Sequence, residues 1–167
     1  KELSNLNVEN LADLRRSGKK LRDLILKTPL PEVLISEIEE AWKDVSKPGK
    51  SFAVRSSATA EDLPDTSFAG QQETFLNIDG FENLIDAVRR VYASLFTDRA
   101  ISYRKLRDFK GTLSISVGVQ EMVRSDIGSS GVAFTLDTES GYRGSIFITS
   151  SYGLGEGIVQ GLSLIHI

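Results

Sequence analysis

Cysteine is missing from the sequence altogether, and histidine occurs once, as His166. Without thiols the chain has no disulfide, no cysteine nucleophile and no cysteine-ligated metal centre. A single histidine, one residue from the last position, argues against a histidine-cluster metal site and against a Ser–His–Asp triad. These exclusions leave hydroxyl, carboxylate, ammonium and guanidinium groups as the side chains that can carry chemistry.

An excess of positive charge and long apolar runs are missing too. The 20 Lys and Arg residues are outnumbered by 23 Asp and Glu, which gives a net charge of −3 and argues against a domain that holds nucleic acid on a basic face. No apolar run approaches the ~20 residues of a membrane span, and no signal-peptide pattern opens the chain. With 167 residues, 40% of them hydrophobic, we expect one globular domain in the cytoplasm and no contact with a membrane.

Helical periodicity dominates the first two-thirds of the chain. Apolar residues recur at helical spacing in a first segment that begins at about Val8, behind Asn7 as the cap, and stops at Thr28-Pro29. Gly18 weakens the middle of that helix. Further helices are predicted over residues 31–45, 81–95 and 98–107.

Strand patterns dominate the remainder, where ten of the 14 glycines also lie. Residues 113–123 alternate apolar and polar side chains, and shorter strands are predicted at 52–54, 73–78, 131–137 and 146–150, with a polar loop over 56–72. The last two strands are expected to complete an antiparallel set with 113–123. Helices followed by strands predict an α+β fold with a mostly antiparallel sheet.

Two glycine-rich segments resemble nucleotide-binding motifs but fail on spacing. Gly49-Lys50-Ser51 lacks the earlier glycine that a P-loop needs, because Asp44 stands there, and a turn is predicted instead. The segment Gly153-Leu154-Gly155-Glu156-Gly157 follows a strand, but Ile158 stands where a dinucleotide loop has its third glycine. Spacing alone leaves open whether this second loop meets a ligand.

The residues after the strand at 52–54 carry the most chemistry. Arg55 follows the strand directly, and hydroxyl groups at Ser56, Ser57 and Thr59 follow Arg55. Small residues and Gly70 let backbone N–H groups approach a ligand closely, and a guanidinium matches the geometry of phosphate oxygens. An anion site is one interpretation; an ion pair of Arg55 with Glu61 or Asp62 on a solvated loop is the other.

The same segment carries a family resemblance. Residues 52–64, FAVRSSATAEDLP, and residues 67–77, SFAGQQETFLN, closely resemble the N-terminal nucleotide-binding domain of phosphoenolpyruvate synthases (pyruvate, water dikinases). Further matching blocks are ASLF, RAISYR, QEMVRSD, SGVAF and GLGE, in that order between residues 93 and 156. We assign residues 1–161 to this domain, and residues 162–167 to an unmatched tail for which an artefact is one explanation. Rifampicin phosphotransferases are similar through the arginine-to-glutamine segment, and pyruvate phosphate dikinase is a more distant relative.

This resemblance implies an ATP-grasp-like fold, incomplete in this chain, with ATP held between two lobes. It also implies an enzyme that makes phosphoenolpyruvate, AMP and phosphate from pyruvate, ATP and water with Mg²⁺. The domain would bind ATP and phosphorylate a histidine on a second domain, while a third domain binds pyruvate. The oligomeric state stays open, with a homo-oligomer as one alternative.

Site residues follow from the resemblance position by position. Arg55 matches the phosphate-contacting arginine of the family, and Gly70, Gln71 and Gln72 match the loop that closes over the phosphates. Glu156 matches a glutamate after the later glycine loop. No residue of this chain is assigned as catalytic, and the metal ligands are unassigned.

The resemblance further implies a fragment, because an earlier lysine segment, a later acidic segment and the two other domains have no counterpart in the sequence. The chain alone is therefore expected to be inactive. Two alternatives stay open: the ATP-binding domain of a rifampicin phosphotransferase, and a truncated module that keeps the fold without the chemistry.

Overall fold

The computed structural model describes residues 10–58, 62–63, 66–67, 73–106 and 114–159. The chain forms two compact units, Lys1–Met122 and Val123–Ile167. The helices of the described residues are α1 (Leu11–Lys27), α2 (Glu32–Val45), α3 (Phe81–Ser94), α4 (Asp98–Leu106) and α5 (Glu156–Val159). The strands are β1 (Phe52–Ala58), β2 (Asp62–Leu63), β3 (Thr66–Ser67), β4 (Thr74–Ile78), β5 (Ile115–Glu121), β6 (Ser129–Phe134) and β7 (Phe147–Tyr152).

The predicted α+β class is confirmed, and every strand pair of the described residues is antiparallel. In the first unit the strand order is β4-β1-β5, with β2 and β3 as a separate short pair. In the second unit β6 pairs with β7. The expectation that β5 shares a sheet with β6 and β7 is therefore wrong: β5 pairs with β1, far earlier in the chain, through all seven residues of β1.

The first helix begins later than the sequence suggested. Asn10 is its cap, because the Asn10 side-chain oxygen accepts hydrogen bonds from the N–H groups of Ala12 (3.1 Å) and Asp13 (3.3 Å). The prediction that Asn7 caps this helix is therefore wrong. The predicted end is confirmed: Thr28 is the C-cap, and Pro29 follows, where a missing N–H prevents a further helical bond.

Gly18 is buried in the middle of α1 because the helix packs closely there against the turn between α3 and α4. A Cβ on Gly18 would lie 3.0 Å from both the Phe96 carbonyl oxygen and the Asp98 Oδ1. The Arg22 guanidinium donates a hydrogen bond to the same Phe96 carbonyl. Gly18 lowers the helix propensity of α1, but its lack of a side chain lets the backbone of α1 approach the backbone of this turn.

The core of the first unit lies between α3 and one face of the three-stranded sheet. α3 contacts all three strands, and its buried residues surround Val54 of the central strand. The members of this cluster are Val54, Leu84, Ala87, Val88 and Val91. Because side chains of a strand alternate between its faces, the face of β1 that carries Arg55 points away from α3. None of the described helices is long and apolar enough to cross a membrane.

Candidate functional site

Arg55 lies within the central strand of the sheet rather than beyond its end. The strand predicted at 52–54 continues to Ala58, so the expected loop at Ser56 and Ser57 is wrong. The reason is tertiary: β5 pairs with β1 as far as Ala58, and Arg55 itself pairs with Thr74 on β4 and Gly118 on β5. Strands on both sides therefore hold the backbone of Arg55 in place.

Toward the end of β1, the sheet face beside Arg55 carries small and hydroxyl side chains that are exposed. Directly opposite Arg55 stand Thr74 and Gly118, and the next positions on this face are Ser57 and Ser116, all exposed. The Ser116 hydroxyl donates a hydrogen bond to the Ser57 carbonyl at 3.2 Å. This face thus presents one guanidinium among small side chains and hydroxyl groups.

Within the described part of the chain, Arg55 forms no ion pair. Lys50, a cation nearby in the sequence, does form an ion pair, because its ammonium group contacts the Glu121 carboxylate. The alternative partners of Arg55, Glu61 and Asp62, have side chains outside the described residues. An exposed guanidinium without a described carboxylate partner is chemically suited to bind an anion such as a phosphate.

The three other residues expected near the phosphates, Gly70, Gln71 and Gln72, lie outside the described residues. The short pair β2–β3, with Asp62 opposite Ser67 and Leu63 opposite Thr66, lies inside the segment predicted as a continuous polar loop. That segment therefore contains a small antiparallel hairpin, which the polar composition did not indicate.

The segment Gly49-Lys50-Ser51 is a turn, as predicted. Gly49 has a positive φ of 80°, and the Lys50 N–H bonds to the Lys47 carbonyl at 3.1 Å. A strand follows this turn, whereas a P-loop requires a helix there. The turn connects α2 to β1.

In the second unit, Glu156 is the first residue of the short helix α5 and is exposed. Two hydrogen bonds hold the glycine loop before it: the Ser130 hydroxyl on β6 donates to the Gly153 carbonyl at 2.6 Å, and the Gly153 N–H bonds to the carbonyl of Gly128, just before β6, at 3.1 Å. Gly153 has a φ of 86°, a conformation that glycine adopts at little cost. This loop has a defined shape that places Glu156 at its end.

Ser130 is a residue that sequence reasoning missed. No local pattern singles out Ser130 as a functional residue, whereas in the structure its hydroxyl holds the glycine loop. Gly131 serves the same region, since a Cβ there would clash with the Thr149 carbonyl oxygen on β7. The sequence does show that segments 128–131 and 153–157 are both rich in small residues. It does not show that they meet, because their contact depends on the pairing of β6 with β7.

Two aspartates of the second unit are engaged in local interactions. Arg124 donates two 2.8 Å hydrogen bonds to the Asp126 carboxylate, and these bonds hold the pKa of Asp126 below its usual value. The Ser140 hydroxyl and the Glu139 N–H do the same for the pKa of Asp137. Among the described residues, no group of three or more His, Asp or Glu side chains could hold a metal ion.

Comparison with known proteins identifies the family of this chain. The profile of the family described as "Pyruvate phosphate dikinase, AMP/ATP-binding domain" matches residues 1–163. Phosphoenolpyruvate synthase of Neisseria meningitidis is 60% identical over 164 residues, which are 95% of this chain and 21% of that protein. The Escherichia coli phosphoenolpyruvate synthase is 52% identical over 163 residues, 95% of this chain and 20% of that protein. The resemblance identified from the sequence is confirmed, and the chain spans about a fifth of the length of these curated relatives.

Proposed function

Because the chain belongs to the pyruvate phosphate dikinase AMP/ATP-binding domain family, we propose that it is the ATP-binding, phosphoryl-donor part of a phosphoenolpyruvate synthase. The observation that carries this proposal is Arg55, an exposed guanidinium on the open face of the sheet with no ion pair among the described residues. The synthases named above, at 52–60% identity, favour this enzyme over a rifampicin phosphotransferase.

In this proposal Arg55 binds the phosphate chain of ATP. The guanidinium donates hydrogen bonds to phosphate oxygens and balances the charge that develops during phosphoryl transfer, a reaction that enzymes catalyse mainly by positioning and charge stabilisation. The strand pairs on both sides of β1 fix the base of the Arg55 side chain. Arg55 has no carboxylate partner among the described residues, so it can bind an anion without first breaking an ion pair.

The remaining residues have proposed roles taken from the resemblance. Gly70, Gln71 and Gln72 would cover the phosphates, and Glu156 would contact the nucleotide from the end of the glycine loop. The described residues do not form a cluster suited to Mg²⁺, so we assign no metal ligand and derive no step through the ion.

The overall reaction we propose converts ATP, pyruvate and water into phosphoenolpyruvate, AMP and phosphate. The bond between Pβ of ATP and the oxygen that it shares with Pα breaks, AMP leaves, and a histidine on another domain takes the diphosphoryl group. Water then releases the terminal group as phosphate, and a separate domain passes the remaining β-phosphoryl group to pyruvate. We place the enzyme in the cytoplasm and leave its oligomeric state open. His166, among neighbours that do not match a phosphohistidine motif, is not the acceptor we propose.

Arg55→Ala in the full-length protein tests this function. We expect ATP-dependent phosphorylation of the histidine domain to slow by about 30- to 1000-fold, since loss of a charged donor at the developing charge costs on the order of 2–4 kcal/mol in barrier. The measurement is transfer of the radiolabelled β-phosphoryl group to the protein in single-turnover experiments, with circular dichroism to check folding.

Arg16→Ala is the matched control, because Arg16 is an exposed arginine on α1 that pairs with Asp13. If Arg55→Ala phosphorylates the histidine domain at the wild-type rate, Arg55 is an ordinary surface cation. If the full-length protein phosphorylates rifampicin and does not form AMP in the presence of pyruvate, it is an antibiotic phosphotransferase and not a synthase.

A further inference from the structure

The two cross-strand neighbours of Arg55 differ in size. Thr74 on β4 is β-branched, whereas Gly118 on β5 has no side chain. The Cγ atom of Arg55 lies 3.7 Å from the point that a Cβ on Gly118 would occupy. The aliphatic part of the arginine therefore packs over the glycine, in the space that a cross-strand partner would otherwise use.

Glycine is otherwise a poor choice at this position. Gly118 lies in the middle of a seven-residue strand, where glycine contributes no packing and increases the entropy that folding must overcome. Its φ is not in the positive region, and a Cβ would meet nothing closer than 3.7 Å. Neither backbone conformation nor a close approach of two backbones explains a glycine here.

We infer that Gly118 is a positioning residue for Arg55, since it keeps open the space that the arginine side chain crosses. This inference rests on the proposed function of Arg55 as the phosphate contact. A methyl group at residue 118 would make an ordinary van der Waals contact with the arginine. A β-branched side chain has additional methyl groups and a stiff χ1, and would occupy the volume of the Arg55 stem.

The test compares Gly118→Ala with Gly118→Val in the full-length protein, with Mg-ATP as the titrant in calorimetry. Gly118→Ala is expected to keep the Kd within about twofold, because its Cβ fits. Gly118→Val is expected to raise the Kd toward the value of Arg55→Ala, an increase of about 10- to 100-fold for a lost charged hydrogen bond. The melting temperature of Gly118→Val should stay equal or rise, because valine favours an exposed strand position.

A double-mutant cycle separates this inference from the proposed function. If Gly118 acts through Arg55, Gly118→Val changes the Kd little when Arg55 is already alanine. A wild-type Kd for Arg55→Ala would overturn the proposed role of Arg55. If Arg55→Ala weakens binding but Gly118→Val does not, or weakens it equally in both backgrounds, only the positioning role of Gly118 is overturned.

Discussion

Three of the described arginines, Arg124, Arg104 and Arg55, have different environments, and these decide what each can do. Arg124 is paired with Asp126 by two hydrogen bonds. Arg104 is half-buried, donates to the Leu95 carbonyl at the end of α3, and has a pKa lowered by burial. Arg55 is exposed beside hydroxyl groups, with no ion pair in the part of the chain that the structure describes. The first two stabilise local structure, and the third is available to a ligand.

The Arg124–Asp126 pair allows a prediction at the residue scale. In the folded protein Asp126 is expected to titrate below the usual aspartate value, because the hydrogen bonds from Arg124 favour its ionised form. Its pKa is lowered by folding, so whatever stability it contributes is present above the unfolded pKa and is lost as the pH falls through the folded pKa. Carboxyl ¹³C NMR spectra recorded as a function of pH measure the pKa values of both Asp126 and Asp137.

Arg124→Ala should raise the pKa of Asp126 toward its ordinary value. Asp137 serves as the internal control: its pKa is lowered chiefly by the Ser140 hydroxyl, so it should titrate the same in both proteins. An Asp126 pKa that does not change on removal of Arg124 would show that the pair is not formed in solution.

At the scale of elements, helix packing outweighs helix propensity at Gly18. Alanine is preferred over glycine inside an isolated helix by about 1 kcal/mol. In α1, however, a Cβ at this position would press on the Phe96 carbonyl oxygen and Asp98 Oδ1, each 3.0 Å away. The two effects have opposite signs, and the neighbouring backbone carbonyl cannot move without disturbing the turn between α3 and α4.

Gly18→Ala is therefore expected to lower the free energy of unfolding by about 1–3 kcal/mol, the usual cost of overpacking. Urea denaturation followed by circular dichroism measures this difference. Lys19→Ala, one residue along at an exposed position of the same helix, should change stability by no more than about 0.5 kcal/mol. A stabilised Gly18→Ala would mean that α1 can shift away from the turn at little cost.

At the scale of the whole molecule, the family match extends across both compact units of the chain, Lys1–Met122 and Val123–Ile167. The chain also spans only about a fifth of the relatives it matches. In the function proposed above, the phosphoryl acceptor is a histidine on another domain, and several of the contacts that the resemblance implies have no counterpart in this sequence.

The 167-residue chain on its own is accordingly expected to form no phosphoenolpyruvate and to bind Mg-ATP weakly. Each missing charged contact costs roughly 1.5–3 kcal/mol, so the loss of two weakens affinity by at least about 100-fold relative to the full-length protein. Isothermal titration of the purified chain with Mg-ATP, beside the full-length protein, measures the difference. Micromolar affinity of the chain alone would show that it carries a complete nucleotide site.

Local sequence patterns alone determined the four longer helices, the α+β class and the identity of Arg55 as a chemically prominent residue. Helices α2 and α3 lie where apolar periodicity placed them, because helical hydrogen bonds join residues four apart and an apolar stripe is a local pattern, and α4 lies close to its predicted residues. The start of α1 was misplaced from Asn10 to Asn7, since two asparagines three residues apart offer the same capping chemistry.

Only the tertiary structure decided where strands end and which strands meet. β1 continues past Val54 because β5, which begins 57 residues after Ala58, pairs with it, and no pattern within 52–58 carries that information. Local patterns also carry no information on three other contacts: Gly18 with Phe96, Ser130 with Gly153, and Gly118 with Arg55. Each is a contact between residues distant in sequence, so its reason becomes visible only when folding has brought the two segments together.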